Sequence, residues 1–227
     1  MAIKLVVMDM AGTTVEDPQL VHEALIKAFE AHQIDISFDQ ANRVMGYPKP
    51  VAIEMLLEEQ KVASNPAFIE QMYAHFLRNM LAEYRHRKEL CEKLGATALF
   101  RALRQSGIRV VLDTGFSREV VDTLIDRLGW QNEIDGSVAS DEVKQGRPFP
   151  DMIWKAMQMM QVAEVSQVAK VGDTPSDIQQ GRAAGCEYVI GITTGAFTAE
   201  ALEKETPTHL VHNLSELGPL LLNGTKA

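Results

Sequence analysis

The sequence predicts an α/β fold: a Rossmann-like parallel sheet flanked by helices, with an inserted all-helical cap domain. Three observations carry this. From about residue 90 onward, helix-type and strand-type segments alternate, as they do where helices cover both faces of a parallel sheet. Leu5-Val6-Val7-Met8 is an unbroken apolar run of strand length, which only a strand buried on both faces can hide. Residues 16–88 are helical in pattern throughout and show no strand signal. The core is therefore assigned to residues 1–15 plus 89–227, and the cap to 16–88.

The elements follow in order. Residues 4–9 form the first strand, which must join the later ones because alone it could not bury its side chains. In the cap, Leu20, Val21, Ala24, Leu25, Ala28 and Phe29 recur at helix spacing. Further helices are expected over 38–45, 49–60 and 66–85, broken by Gly46-Tyr47-Pro48 and Ser64-Asn65-Pro66. In the core a helix ends at Gly107 and Arg109 to Leu112 is a strand. Ser117 then caps a helix running to Leu128, Ser137 to Ser140 is a weak strand, and Pro150 opens a helix to Met160. Val168 to Val171 is a strand, Ser176 to Ala184 a helix stopped by Gly185, and Tyr188 to Ile192 a strand.

The 227 residues suffice for one large or two modest domains. A net charge of −9 argues against nucleic acid or an anionic membrane as partner, since both need clustered Lys and Arg. A small anionic substrate needs only a few local groups. No apolar stretch approaches membrane-spanning length, and the chain runs into its first strand without a signal-type segment. Cys91 and Cys186 lie far apart without metal-type spacing and are expected to be reduced thiols. A soluble cytoplasmic location is the expectation.

Ligands of such sheets bind beyond the carboxyl ends of the strands, and the chemically suggestive residues all fall there. Asp9 ends the first strand and is a candidate nucleophile or metal ligand. The Gly12-Thr13-Thr14 turn behind it can wrap a phosphate with backbone N–H groups and hydroxyls. The place two residues after Asp9, where phosphotransfer sites of this build carry an acid for the leaving oxygen, holds Ala11. Asp173 and Asp177 lie in Gly-Asp-Thr-Pro-Ser-Asp between a strand and a helix. They read either as hard-cation ligands or as the capped first turn of that helix, with Ser176 as the cap. Together with Asp9 they favour a magnesium site.

Thr114 and Gly115 follow another strand, where a hydroxyl and backbone N–H groups can hold a phosphoryl group; an ordinary strand-to-helix turn is the alternative. Arg147, in the proline-stiffened Gly-Arg-Pro-Phe-Pro loop, is either a transition-state cation or a solvated surface charge. Lys49 stands between Pro48 and Pro50, just after Met45-Gly46, near a helix start. The positive helix end, and Arg147 if close, would lower its pKa, and a lysine so tuned can form a Schiff base. A solvated lysine is the plain alternative.

Together these segments resemble the haloacid dehalogenase superfamily, and more narrowly its phosphonoacetaldehyde hydrolase (phosphonatase) and phosphonatase-like group, over nearly the whole chain. That group has alanine in place of the second aspartate (Ala11), arginine in Gly-Arg-Pro in place of lysine (Arg147), and a cap lysine after Met-Gly (Lys49). Asp-Thr-Gly-Phe-Ser-Arg-Glu and Gly-Asp-Thr-Pro-Ser-Asp match two further motifs of the superfamily.

The resemblance implies that Asp9 forms an aspartyl-phosphate and that Mg2+ is held by Asp9, the carbonyl of Ala11 and Asp173, with Asp177 in support. It implies that Thr114 and Arg147 hold the phosphoryl group, that Thr13, Met45 and Gly115 bind substrate, and that Lys49 forms an imine. It also implies a homodimer through the cap helices. The expected activity is cleavage of the C–P bond of a small carbonyl phosphonate, where the imine accepts the electrons that an acid at position 11 could not. A phosphomonoesterase for a small phosphorylated metabolite is the alternative. The group's histidine three residues after the lysine is Ala52 here, and its aromatic hydroxyl after Thr-Gly is Phe116.

Overall fold

In the computed structural model, which describes residues 2–223, strand β1 (Leu5–Asp9) is buried along its whole length. Its alternate residues serve two cores. Val6 and Met8 join the larger apolar cluster on one face of the sheet, and Leu5 and Val7 join a second cluster on the other. That is why the run lacks the polar alternation of a half-exposed strand.

Strands β2 (Arg109–Thr114), β3 (Gly136–Ala139), β4 (Val168–Gly172), β5 (Tyr188–Ile192) and β6 (His209–Val211) complete a six-stranded sheet in the order β3-β2-β1-β4-β5-β6. Every pairing is parallel. The expected Rossmann-like sheet is present. β2 continues to Thr114, two residues past its expected end, so Asp113 and Thr114 close the strand beside Asp9. β6 was not expected; it is a short strand at the sheet edge.

Helices α1 (Leu20–Glu30), α2 (Phe38–Arg43), α3 (Lys49–Glu59) and α4 (Pro66–His86) lie between β1 and β2 in sequence, ahead of α5 (Ala96–Gln105). Their starts have local causes. Ser37 and Gln40 form a capping box for α2, and the Asn65 side chain accepts from Phe68 N at α4, with Pro66 in its first turn. α6 (Arg118–Leu128), α7 (Asp151–Met160), α8 (Pro175–Ala184), α9 (Ala199–Glu203) and α10 (Leu217–Asn223) complete the described residues. α5 and α6 pack on the Val6/Met8 face and α7 on the Leu5/Val7 face.

Two expected caps differ in detail. Ser117 occupies the position before α6 without a side-chain capping bond. α8 begins at Pro175, and its cap is Thr174, whose hydroxyl exchanges bonds with Asp177; Ser176 lies inside the helix. Cys91 and Cys186 are free thiols. No helix among the described residues is long and apolar enough to cross a membrane.

Candidate active site

β1 lies in the middle of the sheet, with β2 and β3 on one side and β4, β5 and β6, reached by a crossover from β3, on the other, and the crevice at its carboxyl end is the expected ligand position. A cavity of about 240 Å³ opens there. Asp9, Ala11, Thr114, Gly115, Arg147 and Asp173 line it from the core, and Met45 and Lys49 from the cap. Of the site residues expected from sequence, Thr13 and Asp177 stand behind these.

The strand register explains the charge arrangement. Asp9 pairs with Asp113 and Val7 with Lys170, so all three polar side chains project from one face of the sheet. Arg147 reaches into this group and is almost completely buried. Its Nη2 donates to Asp9 Oδ1 (2.7 Å), Asp113 Oδ1 (2.8 Å) and the Asp113 carbonyl (2.9 Å), and Nη1 lies 3.0 Å from Asp177 Oδ1. Lys170, also buried, pairs with Asp113 and lies 2.9 Å from Asp177 Oδ1. Arg147 is therefore no solvated surface charge. It fixes the carboxylate of Asp9 and is itself held by two further acids.

Asp113 heads the Asp-Thr-Gly-Phe-Ser-Arg-Glu motif, but the sequence alone assigns it no role, and it does not single out Lys170. A lysine inside the apolar run Val168-Ala169-Lys170-Val171 was the available signal, because a lysine is rarely fully buried without a partner.

Asp9, Asp173 and Asp177 offer oxygens within 4.8 Å of one another. Asp173 Oδ1 accepts from the Thr13 hydroxyl (2.8 Å) and Oδ2 from Ala196 N (3.0 Å). Thr13 is thereby turned to the carboxylate instead of the cavity. A β-carbon on Gly12 would stand 2.5 Å from Asp173 Oδ2, so glycine is needed for that approach. Asp177 has both oxygens engaged: Oδ2 accepts from Thr174 Oγ1 (2.6 Å), and Oδ1 faces Arg147 and Lys170. The donor set of hard, closely spaced carboxylate oxygens fits Mg2+, with Asp9 and Asp173 lining the cavity and Asp177 bracing Arg147 and Lys170 behind them.

Burial raises the pKa of Asp9 to about 6 against the opposing pull of Arg147. Burial, with Asp9 and Asp177 nearby, pushes Asp173 well above the usual carboxylate range. Burial acts on Asp113 in the same sense, but Arg147 and Lys170 outweigh it and hold Asp113 below that range.

The loop between α2 and α3 brings the cap onto this edge. A β-carbon on Gly46 would collide with Ser176 and Thr174, and one on Gly115 would stand 2.6 Å from the carbonyl of Tyr47. These two glycines let cap backbone and core loops touch. Lys49, the first residue of α3, is carried in behind them and is 3% exposed. Its Nζ donates to the Tyr47 carbonyl (3.2 Å) and lies 5.8 Å and 5.6 Å from the ring centres of Phe76 and Phe116. Burial lowers its pKa to about 8; Asp9 opposes this and Arg147 reinforces it. Lys49 is therefore a buried amine in the cavity, and the largest cause of its shift is burial, not the helix end or Arg147. Thr114 Oγ1 accepts from Phe116 N (3.3 Å), which leaves its own proton for a ligand. Ala52 is buried and Phe116 forms part of the apolar wall around Lys49.

A parallel sheet with an aspartate ending its central strand, an acidic cluster beside it and a helical insertion above defines a capped, Rossmann-like α/β protein whose clustered carboxylates suit a divalent cation. The chain belongs to the haloacid dehalogenase-like hydrolases, whose family model matches residues 3–185. It is 30% identical over 220 residues to a phosphonoacetaldehyde hydrolase of Bacillus cereus (strain G9842), a match covering 90% of this chain and 81% of the relative. Among solved structures, a hydrolase from Pseudomonas syringae superposes with a TM-score of 0.86 at 18% identity, covering 99% of each chain. A phosphonoacetaldehyde hydrolase-like protein from Oleispira antarctica superposes with a TM-score of 0.84 at 22% identity, covering 100% of this chain and 96% of the other. At those identities the superpositions speak for the fold.

Proposed function

We propose that this hydrolase cleaves the C–P bond of a small carbonyl phosphonate of the phosphonoacetaldehyde kind, through an imine on Lys49 and an aspartyl-phosphate on Asp9. The observation that carries the reading is the buried Lys49 amine, with a pKa near 8, in the same small cavity as Asp9. A phosphate-ester hydrolase has no evident use for such an amine. A carbonyl phosphonate does, because cleavage of its C–P bond leaves an electron pair that a protonated imine can accept.

Free Lys49 attacks the carbonyl, and the carbinolamine takes up a proton and loses water to give the protonated imine. Asp9 then attacks phosphorus while Thr114 and Arg147 hold the phosphoryl oxygens. The electrons of the breaking C–P bond pass into the imine and leave an enamine. Water hydrolyses the aspartyl-phosphate to phosphate, and the enamine takes up a proton and is hydrolysed from Lys49. Asp9, the Ala11 carbonyl and Asp173 would hold Mg2+, which would supply charge neutralisation at the phosphoryl oxygens. The alanine at position 11 fits this scheme, since the imine makes an acid for the leaving group unnecessary there.

Borohydride reduction in the presence of phosphonoacetaldehyde tests the reading. The expected result is a mass adduct on Lys49 in the native enzyme, with phosphate release lost in Lys49→Ala. Ample phosphate release by Lys49→Ala, with phosphate esters turned over instead, would sink the proposal in favour of a phosphomonoesterase.

A further inference from the structure

The cap side of the cavity holds a second group suited to proton transfer. His22, in the first turn of α1, lines the cavity together with Asn42, Phe38 and Lys49. Its ring stacks on Phe38 with centres 4.5 Å apart, and its Nε2 lies 2.8 Å from Asn42 Oδ1. An amide oxygen can only accept, so Nε2 carries the proton, and the neutral ring presents Nδ1 as a lone pair. That Nδ1 is buried and has no hydrogen-bond partner. A buried acceptor left unpaired costs stability, and a ligand group is one way to satisfy it.

The charged groups around His22 are Asp17, ahead of α1, and Lys49, from α3. Burial lowers the imidazole pKa, with Lys49 acting in the same sense and Asp17 and Asn42 opposing it. The ring is thus the neutral base at physiological pH. The other titratable groups of the cavity are committed elsewhere. Arg147 binds carboxylates, Asp9 and Asp173 belong to the phosphoryl and cation end, and Asp17 Oδ1 accepts from Leu20 N (2.6 Å).

We propose that His22 is the acid–base residue that forms and breaks the Lys49 imine, a role that rests on the Schiff-base reading above. Nδ1 takes a proton from the Lys49 ammonium, and the free amine adds to the carbonyl carbon. The imidazolium returns that proton to the new alkoxide. Nδ1 next removes a proton from the carbinolamine nitrogen and delivers it to the hydroxyl, which leaves as water. The protonated imine and neutral His22 result, so one ammonium and one carbonyl give one iminium and one water. Asn42 acts through His22, as a positioning residue that keeps Nδ1 unprotonated.

The test uses the whole protein with Mg2+ and phosphonoacetaldehyde, and follows the rate of borohydride-trapped Lys49 adduct by mass spectrometry from pH 6 to 9. His22→Gln and His22→Ala should slow trapping on the order of 100-fold, while inorganic phosphate binds with unchanged affinity. Added imidazole should restore trapping to His22→Ala, and in His22→Gln the profile should follow Lys49 alone, falling away below about pH 8 where the native enzyme keeps its rate. Trapping at the native rate in either folded variant would overturn the assignment. So would an equal loss without imidazole rescue and with the pH profile unchanged in shape from the native one, because a merely structural role predicts that outcome. Absence of any adduct in the native protein would instead remove the Schiff-base reading, and this proposal with it.

Discussion

Gly115 and Tyr47 meet so closely that a β-carbon on the glycine would stand 2.6 Å from the tyrosine carbonyl oxygen. That carbonyl also accepts from Lys49 Nζ at 3.2 Å, so one backbone oxygen both docks the cap on the core and orients the amine. Gly115→Ala should push the Met45–Lys49 loop outward. The expected cost is about 1–3 kcal/mol of stability, the range for a forced overpacking, with a fall of at least about tenfold in Lys49 adduct formation. Denaturant unfolding and borohydride trapping on the same preparation check both parts.

Burying the Lys49 amine costs stability. Below pH 8 it is protonated both folded and unfolded, so the penalty for burying an ammonium is fully present. Between about 8 and its ordinary value of 10.5 the folded protein has released the proton and the unfolded chain has not, so stability rises with pH. Above 10.5 the penalty is gone. The separation of the two values corresponds to roughly 3 kcal/mol. Lys49→Met should therefore be more stable than the native protein at pH 7 by up to that amount, with the gain shrinking towards pH 10. Urea midpoints measured at both pH values check this; a variant less stable at pH 7 would contradict it.

Much of this arrangement was legible because a few residue types have narrow physical uses. A four-residue apolar run followed by Asp9 had to be a doubly buried strand opening onto a site. Proline on both sides of Lys49 marked a helix start, and the structure begins α3 at that residue. What was not legible depended on tertiary register. Lys170 becomes meaningful only when β4 pairs with β1 and sets it below Asp113. His22 falls between Val21 and Ala24 on an amphipathic helix, and nothing local distinguishes it from a surface histidine. β6 is three residues long, too short for an alternation pattern to register.

The acidic cluster makes cation binding a stability measurement. A cation that binds only the folded state, at a hundred times its dissociation constant, adds about 2.7 kcal/mol. Mg2+ should raise the unfolding temperature of the native protein accordingly. In Asp173→Asn that increment should be lost, although without Mg2+ the variant should be about as stable as the native protein or more so, since a buried carboxylate facing Asp9 and Asp177 has been neutralised. An undiminished Mg2+ shift in Asp173→Asn would place the cation elsewhere.

Lys170 offers the sharpest separation of structure from chemistry, because it lies below the cavity and outside its lining. Its ammonium, with Arg147, balances Asp113 and Asp177 where no solvent reaches. Removing one partner of such a buried group costs about 3–5 kcal/mol, because the remaining carboxylates keep their desolvation penalty and lose their counter-charge. Lys170→Met should therefore unfold at much lower denaturant concentration. Asp113→Asn should be damaging as well, through loss of a carboxylate that Arg147 and Lys170 both need. Joined with Lys170→Met, it removes one charge of each sign, so the double variant should be more stable than the sum of the single losses predicts. Chemical unfolding of all four proteins closes the cycle. Strictly additive losses would mean that the two side chains do not stabilise one another, and that Arg147 alone holds the carboxylates in place.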